Sequence, residues 1–505
     1  MTTTASESAT RTEHFDVLIV GAGLSGIGAA YRLQTECRNK SYIILEGRDT
    51  IGGTWDLFRY PGVRSDSDMY TLGYPFRPWP NAKAIADGPS ILNYIRETAQ
   101  HYGIDHKIRY NHKVKRALWS SQEARWTLET EDTSTGSNRN LSCNFLFMCS
   151  GYFDYSQGYL PEWPGAQEFT GQMIHPQFWP GNLNYTGKRV VIIGSGATAV
   201  TLAPAMAPLA AHVTMLQRSP TYIVSVPSQD ATARWLREHL PGKIAYPIIR
   251  WKQILYGVFF YALARKRPEA TKKAIIKLVR QALGPDYNID RHFSPLYNPW
   301  DQRLCLVPDS DLFKAIKEGK VSVVTEQIES FSENGIRLHS GEHLEADIIV
   351  TATGLSLKLG GGVNFFVDSK PVNFPETLNY KGTMFSGVPN LASVFGYTNA
   401  SWTLKADLIA RYVCRLLNFM DKHGYNISVP QRPTEPGAFS EEPVLNLTSG
   451  YIRRASGMLP HQGSKTPWKL YQNYLRDLLL LRFERVKDST MEFRKVQVGR
   501  ELAQK

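Results

Sequence analysis

Apolar residues along the chain gather into short unbroken runs of β-branched and aromatic type. The two clearest of these run straight into a glycine-rich turn followed by helical spacing. The first run, HFDVLIV (His14 to Val20), leads into GAGLSG and then IGAAYRLQTEC. A short apolar run of β-type residues predicts a strand, and the glycines and the spacing after them predict a tight turn and a helix. Gly21, Gly23 and Gly26 stand in GxGxxG register. The first glycine permits the turn, the second clears room for a pyrophosphate at the helix N-terminus, and the third lets helix and strand pack closely. A second strand, SYIILEGRD, ends in Glu46, where a carboxylate accepts hydrogen bonds from an adenosine ribose.

The unit recurs at GKRVVIIGSGATAVTLAP, with Gly194 and Gly196 in the first two glycine roles and Ala199 in the third, a replacement the fingerprint tolerates. The strand after it, HVTMLQRSP, ends in Arg218 and Ser219 rather than an acid. A carboxylate there would select the free 2′-hydroxyl of NAD, whereas an arginine and a hydroxyl suit the 2′-phosphate of NADP. Two such units imply two dinucleotides, FAD on the first and NADPH on the second, with hydride passing from NADPH to flavin. Two further strand-and-glycine segments, CNFLFMCSG (Cys143 to Gly151) and ADIIVTATG (Ala346 to Gly354), have the form of chain passing between the two domains. The pattern leaves open whether electrons go to a disulfide, a quinone, another protein or dioxygen.

Composition narrows this little: 505 residues, 42% hydrophobic and 21% charged, suit a soluble chain of two or three domains. Cysteine usage excludes more. Cys37, Cys143, Cys149, Cys305 and Cys414 form no CxxC or CxxxxC pair, which speaks against a disulfide framework, a zinc site or a dithiol centre and for a reducing cytoplasm. The opening MTTTASESATRTEH is polar and lacks an apolar core, so residues 1–13 read as a disordered lead-in rather than a signal peptide.

The net charge of +12 is concentrated in one place. Between Ala231 and Ala282 stand twelve Lys or Arg against Glu238 and Glu269, interleaved with apolar residues as in IIRWKQILYGVFFYALARKR. Three readings compete there: a helical insertion packed on the core, a surface resting on anionic membrane at the inner face of the cell, and a nucleic-acid patch. No nucleic-acid motif supports the last, and the apolar run Ile254 to Ala264 is too short to span a bilayer.

Just ahead of the second nucleotide unit stands FTGQMIHPQFWP, which fits FxGxxxHxxxWP at Phe169, Gly171, His175, Trp179 and Pro180. With these residues the chain resembles the type I Baeyer-Villiger flavin monooxygenases, since related flavin monooxygenases usually carry Tyr or Phe with no following proline. GGTWDLFRYPGVRSDSDMYTLGY (Gly52 to Tyr74), YNPWDQRLCLVP (Tyr297 to Pro308) and GYTNASWTLKADL (Gly396 to Leu408) are similar to the ethionamide-activating subgroup of that family. The resemblance covers roughly residues 14 to 480.

The resemblance implies an α/β fold of two Rossmann-like dinucleotide-binding domains, for FAD and NADPH, with a helical insertion in the NADPH domain. The expected division is 14–155 for the first part of the FAD domain, 156–225 for linker and first part of the NADPH domain, 226–300 for the basic insertion, 301–385 for the rest of the NADPH domain, and 386–505 for the C-terminal part of the FAD domain. Gly21, Gly23, Ser25 and Gly26 would hold the FAD pyrophosphate, Glu46 its ribose, Thr54, Trp55 and Asp66 the flavin side, and Val114 the adenine. Arg64, Ser65 and Asp66, together with Gly194, Ser195, Gly196, Ala197, Thr198, Ala199 and Val200, would contact NADP, with Arg218 and Ser219 at its 2′-phosphate. Arg303, in DQRLCLVP, is similar to the family's active-site arginine, with Asp66 as its carboxylate partner.

The implied activity forms a C4a-peroxyflavin and inserts one atom of dioxygen into ketones to give esters or lactones, or oxidises sulfides and thioamides at sulfur. Arg303 suits it physically. A guanidinium offers charge and several donors but no transferable proton, so it stabilises an anion without protonating it. The same cation serves a developing oxyanion, a contribution of about 3–4 kcal/mol per donor. The unperturbed pKa of a histidine, near 6.5, would suit proton transfer at His175, but its place between domains favours a hinge that moves with NADP.

The sequence departs from the family's pattern in two places. Gln302 stands where many members have a lysine assisting at the 2′-phosphate, leaving more of that work to Arg218. The second family fingerprint, glycine followed two residues later by tryptophan, is degraded to Gly151-Tyr152-Phe153. Two other classes therefore stay open: an N- or S-oxygenating flavin monooxygenase with little ketone activity, and a flavin-binding regulatory or membrane-surface protein.

Overall fold

The computed structural model describes residues 12–433, 440–445 and 448–497. Of the expected lead-in, residues 1–11 lie outside that range, and Glu13 already begins the first strand, Glu13–Val20. That strand runs parallel to Tyr42–Leu45 on one edge and to Asn138–Met148 on the other. With both faces also covered, Val17, Leu18 and Ile19 lose all exposure, so the VLIV end of the strand has no polar alternation. Val17 and Ile19 join a core with Ile27 and Leu33 of helix Leu24–Glu36 and with Ile409 and Val413 of helix Trp402–His423. Leu18 points the other way, into a core with Trp119 and Trp126.

The first sheet has nine strands and draws on distant parts of the chain. His112–Ser120, Arg125–Asp132 and Asn138–Met148 form an antiparallel meander, and Leu391–Ser393 adds in parallel to the last of them. Asn364–Val367 pairs in parallel with His112–Ser120. The return to this sheet therefore occurs upstream of the boundary expected at residue 386, because Asn364–Val367 already finds its backbone partners here.

The second sheet has five parallel strands in the order Val321–Thr325, His212–Gln217, Arg189–Ile193, Ile348–Thr351, Gln172–Ile174. Its edge strand comes from FTGQMIHPQFWP, a segment with no visible strand period, because three residues are too few to show one. Between the sheets, Phe153–Gly158 and Leu355–Leu357 pair antiparallel where the chain passes from one domain to the other.

The basic insertion is helical as expected, with helices Ala231–His239, Gly242–Lys266, Pro268–Leu283 and Ile289–His292 between the paired strands Ile223–Val226 and Cys305–Pro308. Its long helix is anchored by buried Arg250, whose guanidinium donates to the carbonyls of Tyr70 at 2.6 Å and Gly73 at 2.8 Å. No helix among the described residues is long and apolar enough to cross a membrane.

Candidate active site

The first glycine turn is shaped by close backbone approach. Gly21 has φ +104°, and a Cβ there would lie 2.6 Å from the Cys149 carbonyl oxygen; at Gly26 it would lie 1.9 Å from the Gly21 oxygen. Gly23 is roomier, its nearest neighbour for a Cβ being Gly53 at 3.7 Å. Helix Leu24–Glu36 starts there with no side-chain cap and no acid in its first turn. Its leading N–H groups are left to an anion in the cavity that Gly23, Leu24 and Ser25 line.

That cavity, of about 430 Å³, extends to Asp66 and Arg303. Glu46 lines it with a buried carboxylate, whose Oε2 accepts from the Ala22 N–H at 2.8 Å and whose Oε1 accepts from the Arg48 N–H at 3.0 Å. Burial pushes the Glu46 pKa up, and these backbone donors, with the Arg48 charge, oppose the rise. Val114 on strand His112–Ser120, and Thr54 and Trp55 at the start of helix Thr54–Leu57, line the same space. An uncapped helix start, a carboxylate at a strand end and an apolar wall between them fit a dinucleotide such as FAD.

The second turn repeats the geometry. Gly194 has φ +140° and no room for a Cβ, which would lie 2.3 Å from the Ala352 oxygen, while Gly196 faces open space. Helix Ala197–Met206 likewise starts without a side-chain cap. Ala199 and Val200 are buried in the core, Ala197 is exposed and Thr198 half-buried. Ser195 Oγ is 2.7 Å from Thr221 Oγ1, and Arg218 and Ser219 are exposed at the end of His212–Gln217.

The two halves meet at Arg303. The Cys305 thiol, two residues on, donates to the Ser195 carbonyl at 3.8 Å, so the second glycine turn touches the strand that Arg303 leads into. Arg303 Nη2 lies 3.3 Å from Asp66 Oδ2. The two side chains are 38% and 42% exposed, but both line the cavity, and it is there that they are open. The Asp66 carboxylate lifts the guanidinium pKa still further above its usual value, outweighing the opposite effect of burial.

Asp66 is delivered by a segment wedged against the second domain. Tyr60 enters that domain's core, and a Cβ on Gly62 would lie 2.6 Å from Ala205 Cβ. Arg64 is paired with Asp311 at 2.5 Å, and Ser65 is buried, its N–H donating to the Ala86 carbonyl at 2.9 Å and its Oγ accepting from the Ala86 N–H at 3.3 Å. Of these three neighbours, Arg64 and Ser65 are engaged by protein partners, and Asp66 opens on the cavity.

The fingerprint residues lie apart from the cavity. Phe169 packs beside Trp163 on the outer core of the second sheet, Trp179 packs on its inner core, and Pro180 is exposed. A Cβ on Gly171 would lie 2.5 Å from the Asp347 oxygen. His175 Nδ1 accepts from the Gln177 N–H at 3.2 Å, which places the proton on Nε2, 3.2 Å from the Gly354 carbonyl. Burial lowers its pKa and keeps the ring neutral. The ring covers Gly158, where a Cβ would come within 2.0 Å. Gly158 and Gly354 belong to the crossing between domains, so the histidine ties that crossing together.

An aromatic wall stands outside the expected site residues. Tyr152, Phe395, Trp402 and Tyr451 gather beside Arg303. Trp402 stacks on Tyr152 at 5.1 Å, and its indole N–H donates to Ser25 Oγ at 2.8 Å, tying helix Trp402–His423 to the first glycine turn. The signal was present, since Tyr152 follows the strand-and-glycine segment ending at Gly151 and Trp402 stands within GYTNASWTLKADL.

Two glycine turns, each heading an uncapped helix and meeting at a carboxylate-held arginine, define a two-dinucleotide oxidoreductase. The chain belongs to the flavin-binding monooxygenase-like family, whose model matches residues 15–382. It is 54% identical over 485 residues to the FAD-containing monooxygenase EthA of Mycobacterium tuberculosis, covering 96% of this chain and 98% of that one. Among solved structures it shares the fold of an oxidized steroid monooxygenase bound to NADP, at TM-score 0.69 and 22% identity over 83% of this chain and 88% of the other. A cyclohexanone-bound cyclohexanone monooxygenase gives TM-score 0.68 at 20% identity over 83% and 89%. The fold and the family expected from the motifs therefore hold.

Proposed function

We propose that this chain is an FAD- and NADPH-dependent monooxygenase that places one atom of dioxygen on a small substrate, converting ketones to esters or lactones and oxidising sulfides or thioamides at sulfur. The observation that carries the reading is Arg303, held by Asp66 at 3.3 Å at the junction of the two glycine turns. FAD, reduced by NADPH, supplies the activation of dioxygen.

The chain's own residues bind, orient and shield. The N–H groups heading helix Leu24–Glu36, reached past Gly21, Gly23, Ser25 and Gly26, take the FAD pyrophosphate, and Glu46 accepts from its ribose. Val114 borders the adenine, and Thr54, Trp55 and Asp66 border the flavin. Residues Gly194 to Val200 present the second helix start to NADP. Arg303 sets a cation beside the reacting oxygen and then beside the negative charge developing on the substrate carbonyl, while keeping all its protons. Asp66 fixes its orientation. The wall formed by Tyr152, Phe395 and Trp402 keeps water from the reacting atoms. Arg64, through Asp311, and His175, through Gly354, hold the two domains in register.

The test is a product assay of the purified flavoprotein with NADPH, dioxygen, a cyclic ketone and a methyl aryl sulfide under one set of conditions. Ester and sulfoxide together support the reading, whereas NADPH consumption yielding only hydrogen peroxide overturns it. Sulfoxide without ester would mark the N- or S-oxygenating alternative.

Cofactor choice has its own test. Arg218 and Ser219 face the 2′-phosphate, and losing a charge-assisted contact of about 1.5–3 kcal/mol should raise the KM for NADPH on the order of 10–100-fold in Arg218→Ala. The KM for NADH should barely move. Equal changes in both constants would show that Arg218 does not read the phosphate.

A further inference from the structure

We infer that the outer face of the long insertion helix, Gly242–Lys266, docks on the surface of an anionic lipid bilayer. Ile244, Ile248, Trp251, Leu255, Phe259 and Leu263 succeed one another at spacings of three or four, so at about 100° per residue they form one stripe. All are exposed, Phe259 by 66%. The stripe lies on the side of the helix away from Tyr246, Arg250 and Ile254, which are buried against the body of the protein. It is thus a second apolar face, left over after the helix has made its core contacts, and larger than scattered surface residues account for.

Charge says what covers it. The segment from Ala231 to Ala282 carries twelve basic residues and two acids. Arg250 is buried, and Lys252, Arg265 and Arg280 are paired with Asp230, Asp301 and Asp290. Lys243 at one end of the stripe, Lys266 and Arg267 at the other, and Lys273 and Lys277 on the next helix are exposed. An apolar and aromatic stripe bounded by cations matches a bilayer interface, where the stripe enters the acyl boundary and the cations meet anionic headgroups. A second copy fits poorly, since a two-fold contact would set two strongly positive surfaces against each other.

The inner face of the same helix reaches the active site. Ile254 packs with Tyr397 and Leu404, and Tyr397 lines the cavity that ends at Arg303. Docking brings that wall close to lipid, which, resting on the oxygenase reading, favours substrates that partition into membranes.

The experiment sediments the FAD-loaded full chain with vesicles of phosphatidylglycerol and phosphatidylcholine, and separately with phosphatidylcholine alone, at about 0.1 M salt. Binding to the anionic vesicles and its weakening at higher salt are expected. A Leu255→Ser/Phe259→Ser variant should bind at least about tenfold more weakly, since two large apolar side chains no longer enter the interface. Its FAD content and its rate with a water-soluble sulfide should match the parent, separating lost docking from lost fold. Sedimentation is read from protein alone, so failure of the oxygenase reading leaves this outcome intact. The inference is overturned by absent binding, by equal binding to neutral vesicles, by unchanged binding of the variant, or by a dimer that the substitutions convert to monomer.

Discussion

Replacing Arg303 with alanine is expected to cut oxygenated product by about 10²–10³-fold while NADPH oxidation continues, the magnitude being that of a preorganised donor removed from a developing oxyanion. Electrons that no longer reach substrate should leave as hydrogen peroxide. The two activities separate because flavin reduction needs only the nicotinamide and the glycine turns, whereas oxygen transfer needs the cation beside the reacting atoms. Arg303 makes one close ion pair, to Asp66 at 3.3 Å, and both side chains open on the cavity. Its loss therefore removes charge from the site without emptying a packed core. Arg303→Lys should recover only part of the yield, because an ammonium lacks the planar fork and holds a proton it can release. The measurement pairs NADPH consumption with product and peroxide in the same reaction. Unchanged coupling in Arg303→Ala would remove the arginine from the mechanism and return the site to a general flavoprotein.

The largest effect on stability is expected at Lys405. Its ammonium lies 2.8 Å from Asp477 Oδ2, with the two side chains only 4% and 2% exposed. The contact is a close ion pair rather than an aligned hydrogen bond. Tyr397 donates its hydroxyl to the same carboxylate oxygen at 2.6 Å, and burial, followed by the Asp477 charge, pushes the tyrosine pKa well up. Removing Lys405 leaves a buried carboxylate with no cation, a loss of about 3–5 kcal/mol. Lys405→Met should lower the thermal midpoint on the order of 10 °C and weaken FAD retention, because Tyr397 lines the cavity. Adding Asp477→Asn removes the stranded charge and should restore at least half of the loss. A midpoint unchanged in Lys405→Met would show that the pair is spent on desolvation. Since a chain of several domains need not unfold in one step, flavin release and light scattering should be followed together.

The parts legible in the sequence share a physical property: their demands are local. Gly21, Gly26 and Gly194 stand where a single carbon atom would strike neighbouring backbone, and that requirement appears as a glycine at fixed spacing. The apolar end of HFDVLIV marks a strand covered on both faces because Val17, Leu18 and Ile19 all lose their exposure. Less legible were features that depend on which distant segments touch. The edge strand Gln172–Ile174 exists because Ile348–Thr351 offers it a partner, and nothing in FTGQMIHPQFWP announces that. Arg64 and Ser65, neighbours of Asp66 in sequence, turn to Asp311 and Ala86 instead of the cavity.

The order of amino acids is enough to establish that this protein has two dinucleotide turns, a carboxylate ending the strand after one and an arginine ending the strand after the other. Backbone conformation and nucleotide chemistry there are decided within a few consecutive residues. It took the folded chain to show that Trp402 reaches back to Ser25, that Lys405 and Asp477 bury each other's charge, and which side of Gly242–Lys266 is left uncovered. Each of these depends on the packing of segments far apart in the chain, and spacing along a sequence carries no record of that distance.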